Sequence, residues 1–215
     1  MLANIYKPKD CSSFTVVKQI KKITKQKVGH AGTLDPFADG VLLIGIGTST
    51  KLLTKAIQFD KSYQATVKLG QKTDSMDLTG TVTDTAAIPS ISQEVLKKQT
   101  REFIGEQLQR TPMFSARKID GVRLYKLARK SIEIKTNPKM VTIFDLDCSI
   151  NHDIIEMNVT CSSGTYIRVL AEDLADKLGT VGHLTHLTRT SIGEYSLKDS
   201  MTIDKFEELW KSLNH

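Results

Sequence analysis

Residues 29–40, GHAGTLDPFADG, set Asp35 directly before Pro36 in a segment with three glycines and a histidine, His30, five residues upstream. A residue preceding proline is pushed out of the helical region, so Asp35 is held extended and few directions are open to its carboxylate. Gly29, Gly32 and Gly40 allow tight bends or the close approach of another backbone. A carboxylate frozen in this way suits a reactive site. It equally suits a structural turn, because aspartate before proline commonly opens one. Local spacing leaves both readings open.

Other arrangements that could carry chemistry fail on their spacing. GIGTST, residues 45–50, begins like a dinucleotide-binding loop, but position 50 is Thr and no third glycine follows. Counted from Gly40, the phosphate-cradling pattern needs GK[ST] after four residues, and Gly45 is followed by Ile46. His183 and His186 form HxxH without the glutamate of a metalloprotease helix or an evident third ligand, so an ordinary histidine pair near a strand is expected and no metal. No GxSxG nucleophile elbow occurs.

The elements around the loop are legible from periodicity. SSFTVVKQIKKITK places Val16, Val17, Ile20 and Ile23 at helical spacing, with Ser12 or Ser13 as N-cap and lysines on the other side. VLLIGIG predicts a buried strand, and TKLLTKAIQF a helix. YQATVKLG and TGTVTD predict strands around the polar loop QKTDSMDLTG; residues 92–103 and GVRLYKLARK predict helices. VTIFDLDCSI and IIEMNVTCSSG predict a strand pair joined at NHD. TYIRVLAEDLADKLG is an amphipathic helix with Ile167, Leu170, Leu174 and Leu178 on one face and Gly179 as its stop; TIDKFEELWKSL is a short terminal helix. Strands clustered with interspersed helices predict an α+β fold with a mixed, mainly antiparallel sheet flanked by helices rather than a regular βαβ array.

Composition narrows the setting. The 215 residues are 40% hydrophobic, enough for a real core, and the formal charge of +6 favours an anionic partner. Three widely spaced cysteines, Cys11, Cys148 and Cys161, fit a reducing compartment rather than a disulfide framework. The start MLANIYKPKD lacks a signal-peptide core and the longest apolar run, VLLIGI, is too short to span a bilayer. A cytoplasmic globular protein is expected.

The stretch GHAGTLDPFADGVLLIGIGTSTKL resembles the catalytic signature of the TruB family of tRNA pseudouridine synthases, in which H-x-G-x-L-D-P-x-A-x-G carries a nucleophilic aspartate. Further segments resemble the family in order. KPKDCSS is similar to its N-terminal motif, with Tyr6 where aspartate is usual and Asp10 in place of a glycine. DKSYQATVKLGQKTDSMDLTG is similar to the tyrosine-bearing strand and its LGxxTDTxDxxG loop. PMFSARKIDGVRLYKLAR resembles YSAxKxxGxxLYxxAR, with Phe114 for the usual Tyr. CSSGTYIRVLAEDLADKLG resembles the motif centred on GTYIR, and VGHLTHLTR the family's AHxxxLRR, with Thr188 for the first arginine.

The resemblance implies a pseudouridine synthase fold and an isomerase that breaks a uridine's N-glycosidic bond, rotates the base and rejoins it through C5, with neither metal nor redox cofactor. It implies that Asp35 is the nucleophile, adding to base or sugar, and that Arg168 pairs with it, because an attacking carboxylate must stay ionised. Tyr63 falls on the family's active-site tyrosine, stacked on the flipped base and a route for the C5 proton. His30 matches the histidine that fills the space vacated by the flipped nucleotide; Tyr166 and Leu187 match pocket positions.

Two basic clusters could track RNA phosphates: Lys18, Lys21, Lys22, Lys25 and Lys27, and Arg117, Lys118, Arg123, Lys126, Arg129 and Lys130. The family continues into a C-terminal PUA domain. The expected organisation here is a catalytic domain over residues 1–200 and a short helical tail over 201–215, with that domain absent. The expected activity is conversion of uridine 55 in the tRNA T-loop by a monomer using no cofactor, no guide RNA and no membrane. A guide-RNA-dependent relative and a non-catalytic tRNA chaperone are the competing readings.

Overall fold

A computed structural model describes residues 1–213 apart from 120, 129, 131, 133 and 135. Arg129 of the second basic cluster and residues 214 and 215 of the expected tail lie outside the described residues.

In chain order the elements are β1 (Leu2–Lys7), α1 (Ser13–Thr24), β2 (Val28–His30), β3 (Asp39–Ile46), α2 (Leu53–Ala56), β4 (Lys61–Leu69), β5 (Gln71–Thr73), β6 (Val82–Thr85) and α3 (Gln93–Arg101). They continue as β7 (Gly105–Gln109), β8 (Lys118–Ile119), β9 (Val122–Arg123), α4 (Leu124–Ala128), β10 (Lys139–Asn151), β11 (Ile154–Cys161), α5 (Ile167–Lys177), β12 (Gly182–Ile192), β13 (Tyr195–Ser196) and α6 (Ile203–Leu213). The fold is α+β, as expected. The chain divides into two compact units, one of residues 1–64 with 187–215 and one of residues 65–186.

The first unit is built on β3. All eight of its residues are buried, and such a strand, covered on both faces, reads as a continuous apolar run. β1 pairs with it antiparallel from Leu2↔Gly45 to Lys7↔Gly40, and β12 pairs with it parallel at Thr188↔Asp39 and Arg189↔Gly40. On one face Leu42, Ile44 and Ile46 pack with Val16, Val17 and Ile20 of α1 and Phe206 of α6. On the other, Val41 and Leu43 pack with Ala31, Leu53, Ala56 and Ile192. Helix α1 starts where its cap dictates: Ser12 Oγ accepts from Thr15 N at 3.0 Å, and Lys25 closes the other end with φ +54.

The second unit takes the first part of β12, then β4, β11, β10 and β7, in that order. β10 and β11 form the expected hairpin, closing Asn151↔Ile154 across His152 and Asp153, with His152 at φ +54. Helix α3 packs on β10, and α5 buries Ile167, Leu170 and Leu174 before Gly179 (φ +82) ends it.

Two segments differ from expectation. TKLLTKAIQF forms a 3-10 turn over Gly47–Leu52 and only one α-turn, α2, because Leu53 and Ala56 alone reach the core and no side chain caps the start. Among the described residues of GVRLYKLARK the helix is limited to α4, since Val122 and Arg123 pair with Ile119 and Lys118 instead. No helix among the described residues is long and apolar enough to cross a membrane.

Candidate active site

The loop between β2 and β3 carries Asp35, and buried groups of the first unit hold its backbone at nearly every step. Ala31 N donates to Leu43 O at 2.9 Å. The Ser13 hydroxyl, buried at the start of α1, accepts from Leu34 N at 2.9 Å and donates to Leu34 O at 3.1 Å. Lys7, with no exposed surface, donates from Nζ to the carbonyls of Pro8 (2.9 Å), Cys11 (2.7 Å) and Pro36 (3.3 Å). Arg189, 1% exposed, donates from Nε to Val41 O at 2.8 Å and from Nη2 to Gly32 O at 3.1 Å. Asp35 O accepts from Ala38 N at 3.2 Å, so the Asp-Pro turn is formed. Leu34, Phe37 and Ala38 point into the core while Asp35 is half-buried. The turn and site readings are therefore compatible: the turn is made by the backbone of Asp35 and does not use its carboxylate.

Gly40 ends the loop at φ +107, and a Cβ there would lie 2.3 Å from Arg189 O and 2.8 Å from Arg189 N. Only glycine permits β12 to approach β3 this closely. Next to it Asp39, also buried, accepts from Tyr6 Oη at 3.1 Å on one carboxylate oxygen and from Thr188 Oγ1 at 2.5 Å on the other. Tyr6 and Thr188 are two of the positions where the sequence departs from the family pattern, and both departures meet at Asp39. Another of the four, Asp10, has φ +58, a conformation that favours glycine and that aspartate tolerates.

Burial dominates the electrostatics. It pushes the Lys7 ammonium below its ordinary value; Cys11, Asp39 and Asp35 pull it back up and Arg189 pushes it further down. The Tyr6 phenol is raised, first by burial and then by the Asp39 charge and hydrogen bond. The other residues expected in this unit are placed as follows. His30 ends β2 opposite Ile44, Tyr63 sits half-buried on β4, and Leu187 is buried on β12. The start of β4 is anchored by buried Lys61, whose Nζ donates to the carbonyls of Ile57 and Phe59.

Arg168 and Tyr166 belong to the second unit, at the start of α5. Arg168 is 3% exposed. It donates from Nη1 to Ser75 O and from Nη2 to Phe114 O, each at 2.7 Å, and lies 3.6 Å from Asp77 Oδ2. Asp77 is itself organised: Oδ1 accepts from Ser75 Oγ (2.8 Å), Thr79 N (3.0 Å) and Thr79 Oγ1 (2.6 Å). Between them Met76 adopts φ +61, a strained value for a long side chain. Tyr166 has its peptide gripped by one buried amide: Gln109 Oε1 accepts from Tyr166 N at 2.7 Å and Gln109 Nε2 donates to Tyr166 O at 3.0 Å.

The sequence reasoning missed Lys7, Asp39, Arg189, Asp77 and Gln109. Lys7, Asp77 and Arg189 stand inside the quoted family motifs, which was the available signal. Asp39 falls on a variable position of its motif and Gln109 lies outside the motifs, so neither carried a signal, because buried polar groups look like surface residues in a sequence. Arg117 of the second basic cluster is tied to Thr111 Oγ1 (2.7 Å) and Asn137 O (3.1 Å). His183 Nδ1 lies 2.8 Å from Gln71 O, and among the described residues no three His, Cys, Asp or Glu side chains group as metal ligands.

The fold is that of pseudouridine synthases. A solved Cbf5–Nop10–Gar1 complex matches with a TM-score of 0.75 and 25% identity, covering 100% of this chain and 56% of that one. The family model for the TruB family pseudouridylate synthase N-terminal domain matches residues 19–167, and that for the tRNA pseudouridylate synthase B C-terminal domain matches residues 168–215. The tRNA pseudouridine synthase B of Psychrobacter cryohalolentis is 41% identical over 210 residues, 94% of this chain and 58% of that protein. The protein of the same name from Rickettsia bellii is 45% identical over 216 residues, 97% of this chain and 72% of that one. The chain belongs to the TruB family. It spans little more than half the length of the first of these relatives.

Proposed function

We propose that this chain is a tRNA pseudouridine synthase that isomerises uridine 55 of the T-loop. The observation that carries the reading is the Asp35 loop: a half-buried carboxylate on a backbone whose carbonyls are held by Lys7, Arg189 and Ser13. A nucleophile fixed in advance needs little reorganisation on the way to the transition state, which is where such rigidity lowers a barrier. Relatives named tRNA pseudouridine synthase B support the substrate class.

In this reading the uridine is flipped out of the loop and Asp35 attacks it, forming a covalent adduct. The N-glycosidic bond breaks, the freed base turns and rejoins through C5, Asp35 leaves, and C5 loses a proton as N1 gains one. Tyr63 stacks on the base and provides the route for that proton. Arg168, already oriented by Ser75, Phe114 and Asp77, supplies positive charge, and His30, Tyr166 and Leu187 bind the substrate. The reaction is a rearrangement, so its chemistry calls for no redox cofactor, and in this reading the tRNA is recognised without a guide RNA. Asp77 acts as a positioning residue for Arg168.

The test is incubation of the purified chain with an unmodified tRNA transcript, without guide RNA or cofactor, followed by mapping of pseudouridine. Product at position 55 supports the reading. Product only when a guide RNA is added supports the guide-dependent alternative, and RNA refolding without product supports a chaperone.

A further inference from the structure

Helix α1 turns a second, polar face outward. Phe14, Lys18, Lys21, Lys22 and Lys25 follow at helical spacing, and all are exposed, Phe14 by 62%. Over the eleven residue steps from Phe14 to Lys25 the stripe is about 17 Å long. No carboxylate occurs between Asp10 and Asp35 in the sequence, and among the described residues none of these lysines forms a salt bridge. Lysines in a helix's last turn complement its dipole, which accounts for Lys21, Lys22 and Lys25 but not for Lys18 or for a ring left in water. Lys18 Nζ lies 4.9 Å from the centre of the Phe14 ring. Phe14 follows Ser13, whose hydroxyl is bonded to Leu34, the residue before Asp35. The stripe thus begins beside the Asp35 loop and leads away from it.

We propose that this face of α1 is an RNA contact: backbone phosphates of the substrate lie along Lys18, Lys21, Lys22 and Lys25, and Phe14 packs against an unstacked base at the end nearest Asp35. An exposed aromatic set among unpaired cations is the combination by which single strands and loop ends are held, stacking giving grip and charge giving attraction. The apolar side of α1 is consumed by the core, so the exposed face offers a membrane only one ring. The inference rests on the pseudouridine synthase reading for its partner.

The test is binding of an unmodified T-arm stem–loop transcript, followed by fluorescence anisotropy across a potassium chloride series. Three chains are compared: the wild type, Lys18→Gln/Lys21→Gln/Lys22→Gln on α1, and Lys97→Gln/Lys98→Gln/Arg101→Gln on α3, which removes equal charge elsewhere. Each phosphate contact contributes about 0.7–0.9 to the slope of log affinity against log salt, so the α1 variant is expected to be shallower by about 2. The α3 variant should keep the wild-type slope. Phe14→Ala should weaken binding about tenfold at unchanged slope. The proposal is overturned if the α1 variant keeps the wild-type slope, if the α3 variant loses as much, or if the α1 lysines bind phosphatidylserine vesicles and not the RNA. Absence of pseudouridine with the wild type would instead remove the functional reading, which is scored on product and not on binding.

Discussion

Gly40→Ala tests whether the close approach of β12 to β3 holds the Asp35 loop. A methyl group at this position would sit 2.3 Å from Arg189 O and 2.8 Å from Arg189 N, and both are backbone atoms that cannot swing aside. Relief requires β12 to move off β3, which loosens the bridge at Thr188↔Asp39 and Arg189↔Gly40. An alanine at φ +107 adds strain of about 1–2 kcal/mol, and overpacking adds about 1–3 kcal/mol, for a total of about 2–5 kcal/mol. For a chain of this size that lowers Tm by about 4–20 °C. The shift also pulls the Arg189 guanidinium away from the carbonyls of Gly32 and Val41, so turnover should fall by more than the unfolded fraction explains. Thermal melting and single-turnover rates at a temperature where the variant stays folded measure both effects. A Tm within about 1 °C of wild type, together with unchanged turnover, would refute the reasoning.

Tyr63→Phe keeps a ring for stacking and removes the hydroxyl, so RNA binding should persist while turnover falls by orders of magnitude; normal turnover would make Tyr63 a stacking platform only. Gln109→Met leaves the N–H of Tyr166 without its partner, a loss of about 1–3 kcal/mol, while the C=O of Tyr166 keeps the bond it accepts from Leu170 N. If Gln109 acts through Tyr166, its effect on kcat should largely vanish in a Tyr166→Ala background, and full additivity would contradict that role. Burial pushes the Cys148 thiol up to about 12, with a smaller contribution from Asp147. The folded state then keeps a proton that the unfolded state releases, so this contribution is whole below about pH 9 and is lost as pH rises towards 12. Cys148→Ala should flatten that alkaline decline in urea midpoints, and an unaltered decline would remove Cys148 as its source.

Legibility in the sequence followed the physics of each element. Helix α1, strand β3, the β10–β11 hairpin and helix α5 were readable because the apolar period, a cap or a turn residue marked each one. β1 and β12 were not assigned, because strand alternation is broken where Lys7, His183, Thr188 and Arg189 are buried among apolar neighbours. The same cause hid the supports of the site. A sequence shows Lys7, Asp39 and Arg189 as charges expected in water; only the fold turns them inward against backbone carbonyls and two hydroxyls. Asp35 and Arg168 stood out through motif order, yet the burial of Arg168 against Ser75, Phe114 and Asp77 carried no local signal.

The central claim is that the Asp35 carboxylate is the reacting group on a loop organised before substrate arrives. Asp35→Asn keeps the size of the side chain and the Pro36 turn and removes only the charge. Single-turnover conversion of an unmodified tRNA transcript, with the Kd of the same RNA measured alongside, tests the claim most directly. The account predicts no detectable pseudouridine from Asp35→Asn and a Kd close to wild type; conversion at a near wild-type rate would contradict it.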